Sequence, residues 1–354
     1  MGTYVDATAE QRAAGLENFT FDGVKLTTGE FFGPVTVAYK TYGKLSPKKD
    51  NLVFVCHSGS GDPHVSGFYP KSNLPGWWSS LIGSGRYINT DKFFVVCPNL
   101  FGGCYGSTGP SSKNPKTEKS YGSSFPKFQI KDIVACHQKL LGHLGVKKAK
   151  AVIGGSYGAM QTLQWMAAFP ETLENAIPMA ATASSPALSI ACNSIGMKIL
   201  IEDKEFNKGD YYEGTKPTLG LALARMSLEL QFVSPEALQK EFGRERVDGE
   251  FKVADYLWKK SMKFANRADP NGFFNMLRSL NEYDLTEDGK KDLPEVFKKG
   301  EYKSLIISVR SDNLYLPKEV KKIVDALREN KKTVDHFEID SDEGHDAFFT
   351  EVEQ

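Results

Sequence analysis

The sequence predicts an α/β fold: a mostly parallel sheet with helices on both faces and an inserted helical cap. Three observations carry this expectation. Short apolar runs alternate with stretches of helical periodicity, and a strand that is apolar throughout must be covered on both faces. One such run, Ala151-Val152-Ile153, turns through glycines directly into a helix. Residues 184–293 show helical periodicity and little strand character, after which the strand pattern resumes. The expected division is a core of residues 1–183 and 294–354, with residues 184–293 as the cap.

Taken in order, residues 1 to about 20 read as a polar lead-in. The alternation of Val35-Thr36-Val37-Ala38-Tyr39, with glycine turns between Phe21 and Leu45, predicts a leading antiparallel hairpin. Residues 51–56 form the next strand and run into His57-Ser58-Gly59-Ser60-Gly61-Asp62. Trp77 to Ile88 reads as a short helix and loop. Residues 92–97 are a strand that empties into a glycine-rich loop from Asn99 to Ser124. Ile130, Ile133, Val134, His137, Leu141 and Leu144 form one stripe of an amphipathic helix. After a strand at 176–180 the cap begins, with helices expected at 186–201, 219–232, 235–242, 255–265 and 273–282. Ser234-Pro235 supplies an N-cap followed by proline in the first turn, and Asp269-Pro270-Asn271-Gly272 is a turn. A strand at 304–309, a helix at 316–329 and a strand at 333–339 complete the core.

Lysine plus arginine and aspartate plus glutamate each number 44, so the formal net charge is zero. No basic field is offered to nucleic acid or an anionic membrane, and no apolar run approaches a membrane span. The N-terminus lacks a basic-then-apolar signal, and Asp6 stands where a myristoylation motif wants serine or threonine. Cys56, Cys97, Cys104, Cys136 and Cys192 form no C-x-x-C pair and read as reduced, mostly buried thiols of a cytoplasmic protein. No metal site is expected, since H-E-x-x-H and clustered Cys/His are absent.

The chemistry centres on Gly154-Gly155-Ser156-Tyr157-Gly158. Strand, G-x-S-x-G and helix together make a nucleophile elbow, whose serine is forced into a strained backbone with its hydroxyl held off the sheet. The following helix carries Met160, Leu163, Met166 and Ala167 on one face, and Pro170 closes it. A base is found by elimination among six histidines. His137 sits on an apolar stripe as a satisfied core histidine. His143 ends its helix, His336 lies in a strand, His64 follows a proline, and His57 could orient its loop. His345 follows the last strand, at the sheet end where catalytic groups gather. The acid belongs in the loop after the preceding strand, at Asp312. Ser156, Asp312 and His345 then follow the chain order of α/β-hydrolases, with His345 as general base and Asp312 fixing its tautomer. The oxyanion hole is expected from the backbone N–H groups of Tyr157 and Gly59.

Several longer motifs resemble the homoserine O-acetyltransferase family. They are Pro75-Gly76-Trp77-Trp78, the loop Gly102-Gly103-Cys104-Tyr105-Gly106-Ser107-Thr108-Gly109-Pro110, the segment Gly220-Leu221-Ala222-Leu223-Ala224-Arg225-Met226, and Gly344-His345-Asp346-Ala347-Phe348. The resemblance runs from about Thr20 onward. It implies a ping-pong acyl transfer in which Ser156 takes an acetyl group from acetyl-CoA and passes it to the side-chain hydroxyl of L-homoserine, a step of methionine biosynthesis. It also implies Arg225 and Asp346 as the groups that hold the acceptor's carboxylate and ammonium, no resident cofactor, and a homodimer formed through the cap helices.

The chain departs from the family pattern at identifiable places. Ser58-Gly59-Ser60 replaces the usual Ala-Leu-Thr, Tyr157 stands where leucine or methionine is usual, and Ala159 replaces a glycine. In the cap, Met197 and Asn281 stand where arginine and aspartate are common, and Gln354 closes the sequence where the family continues into a final helix. These departures keep open a carboxylic-ester hydrolase on the same scaffold, a serine or succinyl variant of the transferase, and a non-catalytic ligand-binding protein.

Overall fold

The computed structural model describes residues 6–354; residues 1–5, which opened the expected lead-in and the reading of the N-terminus, lie outside the described residues. Among the described residues, eight strands form one sheet: β1 (Glu17–Phe21), β2 (Val35–Tyr42), β3 (Leu52–Cys56), β4 (Phe94–Pro98), β5 (Ala151–Gly155), β6 (Asn175–Met179), β7 (Lys303–Val309) and β8 (Thr333–Ile339). Their spatial order is β1-β2-β4-β3-β5-β6-β7-β8. β1 and β2 pair antiparallel, as do β2 and β4. Every pairing from β4 to β8 is parallel.

β3 is buried along its whole length and β5 nearly so, which is why both read as unbroken apolar runs. Helix α1 (Ile130–His143) buries the expected stripe, though Leu144 falls just outside it as the cap residue. Helix α2 (Tyr157–Ala168) is buried on almost every side, Trp165, Met160 and Leu163 fully so. Helix α8 (Pro317–Glu329), which connects β7 to β8, packs against both strands.

Two expectations are corrected in this region. The lead-in is structured from Ala9: a short helical turn, Ala9–Ala13, is capped reciprocally by Thr8 and Gln11, and β1 follows within the same stretch. The hairpin therefore begins at Glu17, with Glu17 opposite Tyr39 and Phe21 opposite Val35. Trp77 to Ile88 contains turns and a two-residue strand pairing, Ile82–Gly83 with Ile88–Asn89, in place of a helix. The tertiary anchors decide its shape. Trp78 is fully buried, and the Trp77 indole donates to the Asp62 carbonyl at 2.8 Å.

Between β6 and β7 the chain makes a helical excursion: α3 (Ala187–Glu202), α4 (Thr218–Glu229), α5 (Pro235–Glu241), α6 (Lys252–Arg267) and α7 (Pro270–Asn281). Ser234 and Asp269 cap α5 and α7 by accepting from Ala237 and Gly272, each with proline at the first helical position. The two ends of the excursion meet where Ser184 bridges Asp284. There Ser185 N donates to Tyr283 O and Leu285 N donates to Ala183 O, both at 2.9 Å. This closed neck seats the helices over the C-terminal ends of the strands. Among the described residues, no helix is long and apolar enough to cross a membrane.

Candidate active site

Ser156 sits between β5 and α2 at φ 58°, ψ −124°. A non-glycine residue held there costs of the order of 1–3 kcal/mol, so its surroundings must impose it. A Cβ on Gly158 would strike the carbonyl oxygen of Cys56, and one on Gly154 would strike the backbone of Gly158. With no side chains between them, β3, β5 and α2 close to backbone contact and the turn has nowhere else to go. Ser156 N donates to Met179 O at 2.9 Å, and Ser156 O accepts from Ala159 and Met160.

His345 and Asp312 come from the loops after β8 and β7 and are both buried. His345 Nδ1 lies 2.8 Å from Asp312 Oδ2. The other carboxylate oxygen, Asp312 Oδ1, accepts from the N–H groups of Leu314 (2.8 Å) and Tyr315 (2.9 Å). A carboxylate only accepts, so Nδ1 carries the proton and Nε2 keeps its lone pair. Burial opposes charge on the imidazole, but the Asp312 carboxylate and its hydrogen bond, with Asp346 beyond, outweigh it and raise the pKa above the ordinary value. Ser156, His345, Gly59, Tyr157, Arg225 and Asp346 all open onto one cleft of about 650 Å³, mouth included. Asp312 lies behind His345.

The expected oxyanion donors are placed by their neighbours. Tyr157 heads α2, where a backbone N–H has no intrahelical acceptor. For Gly59 the relevant group is the carbonyl on the other side of its peptide bond. Ser58 O accepts from Gly61 N at 2.9 Å and lies 2.8 Å from His57 Nδ1. In a trans peptide the N–H points opposite the C=O, so pinning Ser58 O also fixes the direction of the Gly59 N–H. His57 is buried and its pKa is lowered by that burial, so it stays neutral and donates from Nδ1.

Groups outside the sequence reading hold this loop. Asp62, fully buried, ion-pairs with Arg12 and accepts from Tyr69 Oη (2.9 Å) and His64 N (2.8 Å). Arg267 donates to Ser60 O at 3.1 Å and to Tyr105 Oη at 2.6 Å. No local pattern marks either set, because the partners come from distant parts of the chain.

Arg225 is buried on α4, its guanidinium between the rings of Phe232 and Phe264, each 4.8 Å away. Its Nε donates to Glu229 Oε1 at 2.5 Å, and Lys260 Nζ lies 2.8 Å from Glu229 Oε2. Asp346 is also buried; burial raises its pKa, with Lys260 and His345 pulling the other way. Glu229 and Lys260 were not singled out in the sequence. The i, i+4 spacing of Arg225 and Glu229 was the available signal. The departures Met197 and Asn281 are neighbours: Asn281 Nδ2 approaches Met197 Sδ at 4.0 Å, while Asn281 Oδ1 accepts from Asn193 at 2.9 Å. His137 is in the core as expected, beside the Asn99 backbone and against the Phe54 ring, and burial lowers its pKa to about 3.

The strand order, the elbow and the buried Asp–His pair after successive strands define an alpha/beta hydrolase fold, and the family model of that description matches residues 51–352. The chain is 44% identical over 340 residues to a homoserine O-acetyltransferase of Methanosalsum zhilinae, a match that covers 94% of this chain and 69% of that one. It belongs to the homoserine O-acetyltransferase family. A crystal structure of the homoserine O-acetyltransferase from Bacillus anthracis superposes with a TM-score of 0.88 at 26% identity, over 95% of this chain and 96% of that one. A crystal structure of an esterase superposes nearly as well, with a TM-score of 0.86 at 27% identity over 96% of each chain.

Proposed function

We propose that the protein transfers an acetyl group from acetyl-CoA to the side-chain hydroxyl of L-homoserine, in methionine biosynthesis, through an acyl-Ser156 intermediate. The observation that carries this reading is that His345, held from behind by Asp312, faces one cleft together with Ser156 and the Arg225–Asp346 pair. One pair moves protons at the serine. The other matches the two charges of an amino acid, since a guanidinium accommodates a carboxylate bidentately and a carboxylate holds an ammonium.

His345 Nε2 takes the Ser156 proton as Oγ attacks the thioester carbon. The N–H groups of Gly59 and Tyr157 receive the oxyanion, a donor pair in which each member is typically worth roughly 3 kcal/mol. Collapse breaks the C–S bond, and the thiolate leaves with the proton from His345. Homoserine then gives its hydroxyl proton to His345 and attacks the acyl-serine. Ser156 leaves and recovers its proton, so acetyl-CoA and homoserine become O-acetylhomoserine and CoA. No resident cofactor enters these steps.

A homodimer through the cap has a specific support: Leu188, Ile195 and Ile201 of α3 and Leu219 of α4 are each more than half exposed. Such a stripe favours a second copy, and sedimentation at twice the 39.2 kDa chain mass is the expected result. The five free cysteines suit a reducing compartment, and we place the enzyme in the cytoplasm.

The similarity to an esterase supports a second reading, in which water takes the acyl group before an amino acid does. Free-thiol release from acetyl-CoA, with and without L-homoserine, separates the two. Succinyl-CoA and L-serine run in parallel name the donor and acceptor. Homoserine-dependent release establishes the transferase. Acceptor-independent release, or cleavage of simple acetate esters alone, makes the protein a hydrolase.

A further inference from the structure

A second pocket, of about 490 Å³ with the open solvent at its mouth included, is lined by the glycine-rich loop on the other side of the Gly59 turn. It shares Gly59, Ser60, Tyr157, Phe273 and Met276 with the catalytic cleft, so these residues form the partition between the two. Most of the partition is fixed. Ser60 O is held by Arg267, Tyr157 Oη is 2.7 Å from Ser279 Oγ, and Phe273 packs edge-on against Phe264 at 5.1 Å. Met276 differs from its neighbours. Its side chain is unbranched, with three rotatable bonds and no polar tether. It is buried, and its sulfur covers Gly59 so closely that a Cβ there would run into it. A methionine on α7 thus occupies the space that a side chain at position 59 would take.

We propose that Met276 sets the length of acyl group that Ser156 accepts, and that the second pocket receives the tail of a longer, unbranched apolar acyl chain when Met276 swings off Gly59. The inference rests on Ser156 being acylated. The acyl oxygen lies against the Gly59 N–H, so the acyl chain starts beside Gly59, at the foot of Met276. A two-carbon group ends there, and further carbons must displace the thioether. Beyond it, Leu100, Phe101, Phe128 and Phe264 offer apolar walls, which suit methylenes rather than a charged tail. As before, the Ser156 Oγ–C bond forms while the donor's bond to its leaving group breaks, and the serine proton leaves with that group by way of His345.

The test compares wild type, Met276→Ala and Met276→Leu on p-nitrophenyl acetate, butyrate and hexanoate, with intact mass reporting acyl-Ser156 directly. The alanine variant should raise the butyrate-to-acetate ratio of kcat/KM by about tenfold, as two further methylenes find apolar contact, and the leucine variant should leave that ratio near the wild-type value. If the alanine variant does not fold, Met276→Val shortens the same side chain while leaving less of a void, and the same rise is expected. A folded, shortened variant with an unchanged ratio overturns the proposal. These esters acylate Ser156 whether homoserine or water is the second substrate. Failure of homoserine-dependent thiol release in the wild type therefore overturns the transferase reading alone.

Discussion

Replacing Asp312 by asparagine should disable His345 through its tautomer while leaving its position almost unchanged. The aspartate makes two kinds of bond: Oδ1 accepts from two backbone N–H groups, and Oδ2 faces His345 Nδ1. An asparagine can keep only one arrangement. With its oxygen toward Leu314 and Tyr315, its NH₂ meets Nδ1 and forces the ring proton onto Nε2, where it blocks uptake of the Ser156 proton. Flipping the amide would restore Nδ1–H but set NH₂ against two buried donors. At roughly 1–3 kcal/mol for each unsatisfied group, the flip costs roughly 2–6 kcal/mol, so the inactive tautomer prevails. The expected loss is about 10⁴-fold in kcat, or about 5 kcal/mol of barrier, read by thiol release from acetyl-CoA. Loss of the carboxylate also removes what holds the His345 pKa up against burial, so the residual activity should rise at lower pH than in wild type. A variant within about tenfold of wild type at its best pH would refute the orientation argument.

Ser156→Ala should abolish turnover and acyl-enzyme formation with circular dichroism unchanged; residual acylation by mass would place the nucleophile elsewhere. In the wild type, kcat/KM should climb as His345 loses its proton, with a midpoint above the ordinary imidazole value of about 6.5. A midpoint at or below that value in a pH–rate profile would contradict the raised pKa. The stability sign is opposite: the charged His345–Asp312 pair contributes below the unfolded histidine pKa, and its contribution is lost as pH rises through the raised folded value. Arg225→Ala should raise KM for homoserine well above its effect on kcat, and equal effects on acceptor-free acylation would sink the acceptor role. Gly158→Ala should cost at least about 1–3 kcal/mol in denaturant melts, because its methyl meets the Cys56 carbonyl at a backbone contact that cannot widen cheaply; an unchanged midpoint would show the elbow to be looser than its geometry.

The sheet could be read from the chain because β3 and β5 are covered on both faces, and burial writes itself as apolar runs. The elbow was legible for a related reason: a backbone contact between strand and helix admits only glycine, and glycine is visible. Asp312 and His345 followed from where strands end. What escaped was long-range in origin. The Trp77 to Ile88 segment takes its form from a buried indole and a carbonyl of Asp62, which local periodicity does not encode. Glu229 and Lys260 look like ordinary helix charges until α4 and α6 are packed together around Arg225. Met276 looks like core at helical spacing, and its position over Gly59 depends on the cap settling onto the loop.

The Arg12–Asp62 ion pair has a practical bearing on how this chain can be shortened. A polar stretch ahead of the first long strand invites trimming in an expression plasmid. Cutting before Glu17 would delete the cation and leave Asp62 a buried carboxylate with Tyr69 and a backbone N–H as its remaining described hydrogen-bond donors. Breaking a buried pair on one side costs about 3–5 kcal/mol, and the damage would be local to the turn that presents the Gly59 N–H. The expected result of such a truncation is a lowered thermal midpoint together with slower turnover, which a substrate screen would misread as a wrong substrate.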